Sequence, residues 1–336
     1  MGAVADVREI SRIAYGFKAS KALLVGIDLG LFTLLSDHAK TLPALAEETG
    51  VATNRLETLL TALTSIGLLV KNGSEYSNAP ASDNYLVKGK PAYFGDYFSL
   101  QTDSFIYPAF TELGALIKGE GVAGPWRDYE SLMQDGAAAE RFSRGQHAGS
   151  LGPAVALSKQ VDLAPYHKLL DVGGGSGAFA IMLCKRNPQL AVTILDFETV
   201  RDVAGQFVAG AGLEDRIEFV TGNVITSEWP GGHDAVLMSF LFSAVSEEAI
   251  AALLRKAHQA LPAGGAVIVH DFMVEDDKAG PPDAALWFLT CMFNCPEGIV
   301  LTPGYIARQL EEAGFAQIEI RNLVQGLTKV AVAIRA

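Results

Sequence analysis

The sequence predicts an α/β protein: a mostly parallel, doubly wound, seven-stranded sheet preceded by an α-helical winged-helix domain. Three observations carry the prediction. Seven short apolar segments (KLLDVGG, AVTILDF, RIEFVTG, DAVLMS, GAVIVHDF, then IEIRNLV and KVAVAIRA) alternate with helical stretches from residue 168 onward. A glycine-rich turn, GGGSG, follows the first of them and opens a helix. Ahead of the sheet, two apolar helical segments run into an Asn72-Gly73 pair, a hairpin signal.

Taken in order, residues 1–90 form the winged-helix domain. Ile10, Ile13, Ala14 and Phe17, then Leu24, Ile27 and Leu31, recur at helical spacing. Thr41 is the expected N-cap of the next helix, with Pro43 in its first turn, and Gly50 ends it. Thr53 or Asn54 is expected to cap a helix carrying Leu56, Leu59, Leu60 and Leu63, and the hairpin follows between LLV and EYS. A winged helix raises DNA binding. The would-be recognition helix offers only Arg55, and 26 Lys and Arg against 38 Asp and Glu give a net charge of −12. Phosphate contacts need clustered cations, so nucleic acid is not an expected partner. Such apolar helices must be buried against something, which predicts a dimerisation or lid module, with a homodimer the expected assembly.

Residues 91–160 are expected to be connecting helices lining a pocket, rich in aromatics (Tyr93, Phe94, Tyr97, Phe98, Phe105, Tyr107, Phe110). Residues 161–336 hold the sheet, and its last two strands, separated by QGLT, read as an antiparallel hairpin. The densest apolar run, AALWFLTCMF, is far short of the ~20 residues of a membrane span. The N-terminus lacks a signal-peptide pattern, and an odd set of three cysteines reads as reduced thiols, so a cytoplasmic protein without a membrane role is expected. Cys291 and Cys295 stand four apart on a predicted helix, but no His or acid at a suitable spacing joins them, so no metal is expected.

The turn LLDVGGGSGAF is where a ligand can approach the backbone closely. By itself it is ambiguous, because Gly173, Gly175 and Ala178 satisfy a loose dinucleotide pattern. Three features tilt it toward S-adenosylmethionine. Asp171 precedes the glycines, where a carboxylate can hold a methionyl ammonium. Asp196 ends the next strand, placed to accept from ribose hydroxyls. Asn223 follows the third strand, where it can meet the adenine edge with Val224 packing on the ring. Ser239, at the end of the fourth strand, completes the candidate cofactor set with Gly173 and Gly175.

On LLDVGGGSG, the Asp196 strand end and AGF at 313–315, the chain resembles the two-domain class I methyltransferases of the plant-type or acetylserotonin O-methyltransferase family over nearly its whole length. The resemblance implies a Rossmann-like catalytic domain, S-adenosyl-L-methionine as cofactor, a small-molecule acceptor, and a homodimer. It also implies a catalytic histidine flanked by two acids, and here the chain departs. Counting back from Ser246-Glu247-Glu248, the histidine position holds Ser243, and Asp271 falls at the first acid. The second falls near Val300, where no carboxylate stands. A serine hydroxyl is not basic near neutral pH unless activated, so the catalytic residue is left open.

Three readings avoid a base. A thioether sulfur has a lone pair and no proton to lose. An electron-rich carbon is the second acceptor type, as in the bacteriochlorophyll C-20 methyltransferases, whose LYSA stretch resembles LFSA here. A relative that binds the cofactor without transferring methyl is the third. The segment FSRGQHAGS is polar for a buried helix, and Phe142, Arg144, Gln146 and His147 are expected to grip a small acid, with Asp271, Trp287 and Phe288 completing the acceptor pocket. These features resemble the bacterial methylthiohydroxybutyrate S-methyltransferases of dimethylsulfoniopropionate synthesis. The leading expectation is therefore S-methylation, with C- or O-methylation of an aromatic or tetrapyrrole-type metabolite as the alternative. His270 and His167 are expected to be structural.

Overall fold

A computed structural model describes residues 3–120 and 129–336, so residues 121–128 of the expected connecting segment lie outside the described residues. The chain divides into two compact units, residues 1–104 and 105–336.

The first unit runs α1 (Val7–Ala14), α2 (Gly16–Asp28), α3 (Leu31–Leu34), β1 (Lys40–Thr41), α4 (Leu42–Thr49), α5 (Thr53–Ser65), β2 (Leu69–Asn72), β3 (Glu75–Asn78) and α6 (Pro80–Tyr85). Its three strands pair antiparallel in the order β1-β3-β2, and a core of Leu31, Phe32, Leu45, Leu56, Leu60, Leu63 and Tyr76 lies between them and the helices. The leucines of α5 therefore face this core and not a nucleic-acid groove. Gly50 closes α4 with φ of 67°, as a left-handed C-cap needs. The start of α5 differs from expectation: Ala52 is the cap residue, Thr53 is already helical, and no side chain caps the end. In the hairpin, Asn72 pairs with Glu75, so Gly73 takes the first loop position with φ of 60°. Helix α1 buries none of its residues, and Val7, Ile10 and Ile13 are 72%, 58% and 72% exposed.

The expected connecting helices are less regular than their composition predicts. A π-helical stretch, Tyr97–Ile106, leads into the short α7 (Tyr107–Ala109), α8 (Leu113–Ile117) and α9 (Tyr129–Gln134). The long α10 (Gly136–Gln160) follows, capped by Asp135, whose carboxylate accepts from the Ala137 and Ala138 amides.

The sheet of the second unit comprises β4 (Lys168–Val172), β5 (Ala191–Asp196), β6 (Ile217–Thr221), β7 (Ala235–Ser239), β8 (Ala266–Phe272), β9 (Phe315–Val324) and β10 (Thr328–Arg335). Helices α11 (Ala178–Arg186), α12 (Glu198–Gly210), α13 (Glu247–Ala260), α14 (Pro282–Asn294) and α15 (Pro303–Glu312) connect them. The order is β6-β5-β4-β7-β8-β10-β9; β6 through β8 run parallel, and the β9–β10 hairpin closes one edge antiparallel, as the sequence predicts. The central strands are apolar on both faces, and β8 is buried along its whole length. The chain order turns back between β4 and β7, and in open α/β sheets ligands bind at the carboxyl ends of strands beside such a reversal.

Candidate active site

The glycine loop leaves β4 at that reversal. Gly173, Gly175 and Gly177 all take positive φ, a conformation that side chains resist. Two glycines explain what the loop is shaped around. A Cβ at Gly174 would lie 2.6 Å from Cγ of Asp171, so the backbone folds directly over that carboxylate. A Cβ on Gly175 would meet nothing within 4 Å, which leaves this side of the loop open to a ligand.

Asp171 is fully buried, and neither of its oxygens has a well-formed hydrogen bond. Burial, reinforced by the charge of Asp196, raises its carboxyl to about 7, and the nearby Ala180 amide offsets this only in part. A buried carboxylate without a donor is costly unless a cation meets it. An ammonium placed there would supply what the protein does not. Asp196, at the end of β5, accepts from Gly175 N at 2.8 Å and Phe197 N at 2.7 Å. Burial raises it to about 6 against the pull of those amides. Each oxygen keeps a lone pair for a hydroxyl. These residues fit the methionyl and ribose ends of S-adenosylmethionine.

Asn223 follows β6, but its Oδ1 accepts from Ile225 N at 2.9 Å and Thr226 N at 3.3 Å. It builds its own turn, an ordinary role for Asn, and offers an incoming ring its amide donors only. Val224 packs against the sheet core. The loop is held by Lys256 of α13, whose ammonium donates to the carbonyls of Val224, Ile225 and Ser227. Ser239 is also committed: its hydroxyl lies 2.8 Å from His270 Nδ1. His270 is fully buried, pushed down to about 3 by desolvation, and therefore neutral. The next residue, Phe240, sits at φ of 54°, a strained value for an aromatic residue, with its ring against His270 and Phe272. This strained turn sets the direction in which the chain enters the Ser243 segment.

Ser243 occupies a single 3₁₀ turn, Phe242–Ala244. Its amide donates to Asp271 Oδ2 at 3.0 Å, and Asp271 Oδ1 accepts from Phe272 N at 2.8 Å. The Ser243 hydroxyl lies beside both this carboxylate and the Cys291 thiol. All three residues are buried; burial raises Asp271 to about 6 and Cys291 to about 12. The two positions counted from the sequence thus meet in space, and the cluster contains no imidazole. Cys291 was not anticipated in this cluster, although its place one helical turn after Trp287 on α14 could have marked it. Trp287 stacks on Phe272 with centroids 4.9 Å apart, and Phe288 lies in the core beneath the sheet.

On α10 the expected residues part company. Phe142 packs edge-on to Phe105, in a cluster with Phe293 of α14. Gln146 is half-buried. Arg144 does not form the expected acceptor grip: it donates to Glu140 Oε1 at 3.0 Å and to Gln206 Oε1 of α12 at 2.5 Å. His147 is engaged elsewhere as well. Its Nδ1 lies 2.9 Å from the hydroxyl of Ser176 in the glycine loop, and its ring stacks on Phe207 of α12 at 3.5 Å. Desolvation lowers it to about 4, so it carries no charge for an anion. The reason is helical geometry: residues 144 and 147 stand three apart on one stripe, and that stripe faces α12. His167 is exposed beside Asp234, and among the described residues no His, Cys, Asp and Glu group could hold a metal.

Residues 118–316 match the model of the O-methyltransferase domain, and residues 11–88 match that of the O-methyltransferase dimerisation domain. The chain is 31% identical to a 3-hydroxy-5-methyl-1-naphthoate 3-O-methyltransferase of Streptomyces sahachiroi, over 97% of this chain and 95% of that protein. It is also 31% identical to an L-tyrosine C(3)-methyltransferase of Streptomyces lavendulae, over 84% and 79%. Human N-acetylserotonin methyltransferase, solved with S-adenosylmethionine, superposes with a TM-score of 0.87 at 22% identity, covering both chains completely.

Proposed function

The chain belongs to the O-methyltransferase family and is an S-adenosylmethionine-dependent methyltransferase, and from that premise we propose that it methylates a small aromatic acceptor by alignment, without a histidine base. The observation that carries the reading is the buried Ser243–Asp271–Cys291 cluster at the place where the family resemblance implies a base. Both oxygens of Asp271 accept backbone amides. Its first duty is to hold the 3₁₀ turn, which leaves it poorly placed to take a proton from an acceptor.

S-adenosylmethionine supplies an electrophilic methyl group on a sulfonium sulfur. The chain's own residues then have three tasks. Asp171 and Asp196 hold the ammonium and ribose ends. Val224, packed on the core and backed by Lys256, holds the adenine side. Phe142, Gln146 and Trp287 shape the acceptor side and exclude water. Correct placement of reacting groups is worth on the order of 7–11 kcal/mol, against the 10²–10⁴-fold (about 3–5 kcal/mol) of a general base. A well-aligned site therefore tolerates the loss of the base best when the acceptor oxygen has already released its proton to solvent, or when a ring carbon attacks first and its proton leaves to water after the methyl has transferred. The aromatic cluster of Phe105, Phe110, Phe142 and Phe293 favours an aromatic acceptor. So do the two relatives, whose names place a methyl on an oxygen of a naphthoate and on C(3) of L-tyrosine.

S-methylation of 4-methylthio-2-hydroxybutyrate is the second reading, favoured by the same missing base, because a thioether gives up no proton. It loses support because Arg144 is bonded to Glu140 and Gln206 and His147 is a neutral partner of Ser176, so the expected carboxylate grip has lost its cations. The protein is further proposed to work as a homodimer, since the apolar stripe of α1 has no cover among the described residues of its own chain. An acceptor screen with methyl-labelled S-adenosylmethionine tests the assignment. Hydroxylated aromatic acids and phenols should gain one methyl by mass spectrometry. Labelling of the thioether alone would replace the first reading with the second.

A further inference from the structure

Among the described residues, four contacts hold residues 173–176 of the glycine loop. Three are local to the sheet or to the loop itself: Gly173 N donates to Leu195 O, Gly177 N to Gly174 O, and Gly175 N to Asp196 Oδ2. The fourth, the Ser176 hydroxyl against His147 Nδ1, arrives from α10, the helix that also carries Phe142 and Gln146. Ser176 is buried between two glycines of positive φ. Glycines lose the most backbone freedom on ordering. A side-chain anchor in the middle of such a loop therefore has a large effect on whether the loop is already in its binding shape.

The anchor is itself rigid. The imidazole lies flat on Phe207 with an interplanar angle of 2°, and the Arg144 guanidinium stands over the same ring while bonded to Gln206. Of the charged groups nearby, Lys185 opposes protonation, and Arg144 shares the Phe207 stack. The imidazole thus stays a neutral partner for a hydroxyl. Arg144 and His147, read from sequence as an acceptor grip, form a strap between α10, α12 and the loop.

We propose that His147 is a positioning residue for the cofactor: by holding Ser176 it keeps the glycine loop in its binding conformation and couples the acceptor helix α10 to cofactor affinity. The inference rests on the glycine loop being the cofactor seat. Coupling of this kind is reciprocal, so an acceptor bound against α10 alters cofactor affinity by the same factor with which cofactor alters acceptor affinity.

The test is calorimetric binding of S-adenosylhomocysteine to the full chain and to three variants: His147→Phe, which keeps the stack but removes the hydrogen bond, Ser176→Ala, and the double variant. Each single variant should bind about 5- to 10-fold more weakly, the size of one lost neutral hydrogen bond. The double variant should be no weaker than the worse single one, since both remove the same contact. Amide exchange across residues 173–177 should quicken in both single variants while β4 and β5 stay protected. Wild-type affinity in Ser176→Ala overturns the proposal, even if His147→Phe does not fold. Losses that multiply in the double variant, or unchanged loop exchange, overturn it equally. A wild-type chain that does not bind the ligand overturns the assignment of the loop itself, and the proposal with it.

Discussion

Replacing Ser243 by alanine separates alignment from base catalysis. The change deletes only the hydroxyl. The bond from Ser243 N to Asp271 Oδ2 is a backbone bond, so the 3₁₀ turn and both amide contacts to Asp271 survive. What is lost is the hydroxyl contact to Asp271 and Cys291, about 1–2 kcal/mol of stability. At about 2–4 °C per kcal/mol for a domain of this size, Tm should fall by a few degrees. If alignment does the catalysis, kcat should fall less than tenfold. If Ser243 relays a proton to Asp271, the loss should reach the 10²–10⁴ of a general base. The assay is initial-rate methyl transfer, at saturating cofactor, to an aromatic acceptor identified by the labelled screen. The pH profile supplies an independent reading. His147 and His270 are held near 4 and 3, so neither contributes a limb at the ordinary histidine pKa of ~6.5. Asp271 lies near 6, so an acid limb of kcat at that pH, abolished in Ser243→Ala, would refute base-free transfer and put Asp271 in the proton path.

Three further outcomes follow from the geometry. Asp196→Ala should weaken S-adenosylhomocysteine binding by about 1–3 kcal/mol, because it strips the ribose of its acceptor and leaves the Gly175 and Phe197 amides unpaired; calorimetry giving wild-type affinity counts against the ribose role. Asp171 and Asp196 are held near 7 and 6, above their ordinary 3.8, so the stability each contributes is present below pH 3.8 and lost as pH rises through 6 to 7. Cofactor binding draws on the ionised forms, so affinity, and the rise in Tm on adding S-adenosylhomocysteine, should be larger at pH 8 than at pH 5.5; a flat profile from calorimetry across that window would contradict the carboxylate roles. Ile10→Asp together with Ile13→Asp should convert a dimer to a monomer by light scattering, since both side chains are more than half exposed on the apolar stripe of α1; an unchanged mass places the interface elsewhere.

The strands and the glycine loop were legible in the residue pattern, because those signals are local. A buried parallel strand is a short apolar run, and each of the seven runs became a strand. The loop glycines and Asp171 are contiguous, and Asp196 stands at a strand end set by the same pattern. Sequence counting also brought Ser243 to Asp271, since strand β8 and the turn after β7 are adjacent in a doubly wound sheet. The tertiary structure alone decided where side chains of α10 point. Periodicity places residues 144 and 147 on one stripe, but which neighbour that stripe meets depends on how α12 packs, and α12 turned an expected acceptor grip into a strap on the glycine loop. The same holds for Cys291 beside Ser243, for Ser239 against His270, and for the oxygen of Asn223 spent on its own turn. Each is a hydrogen bond or contact of a few ångströms, and no local pattern fixes which partner satisfies a buried polar group once several elements compete for it.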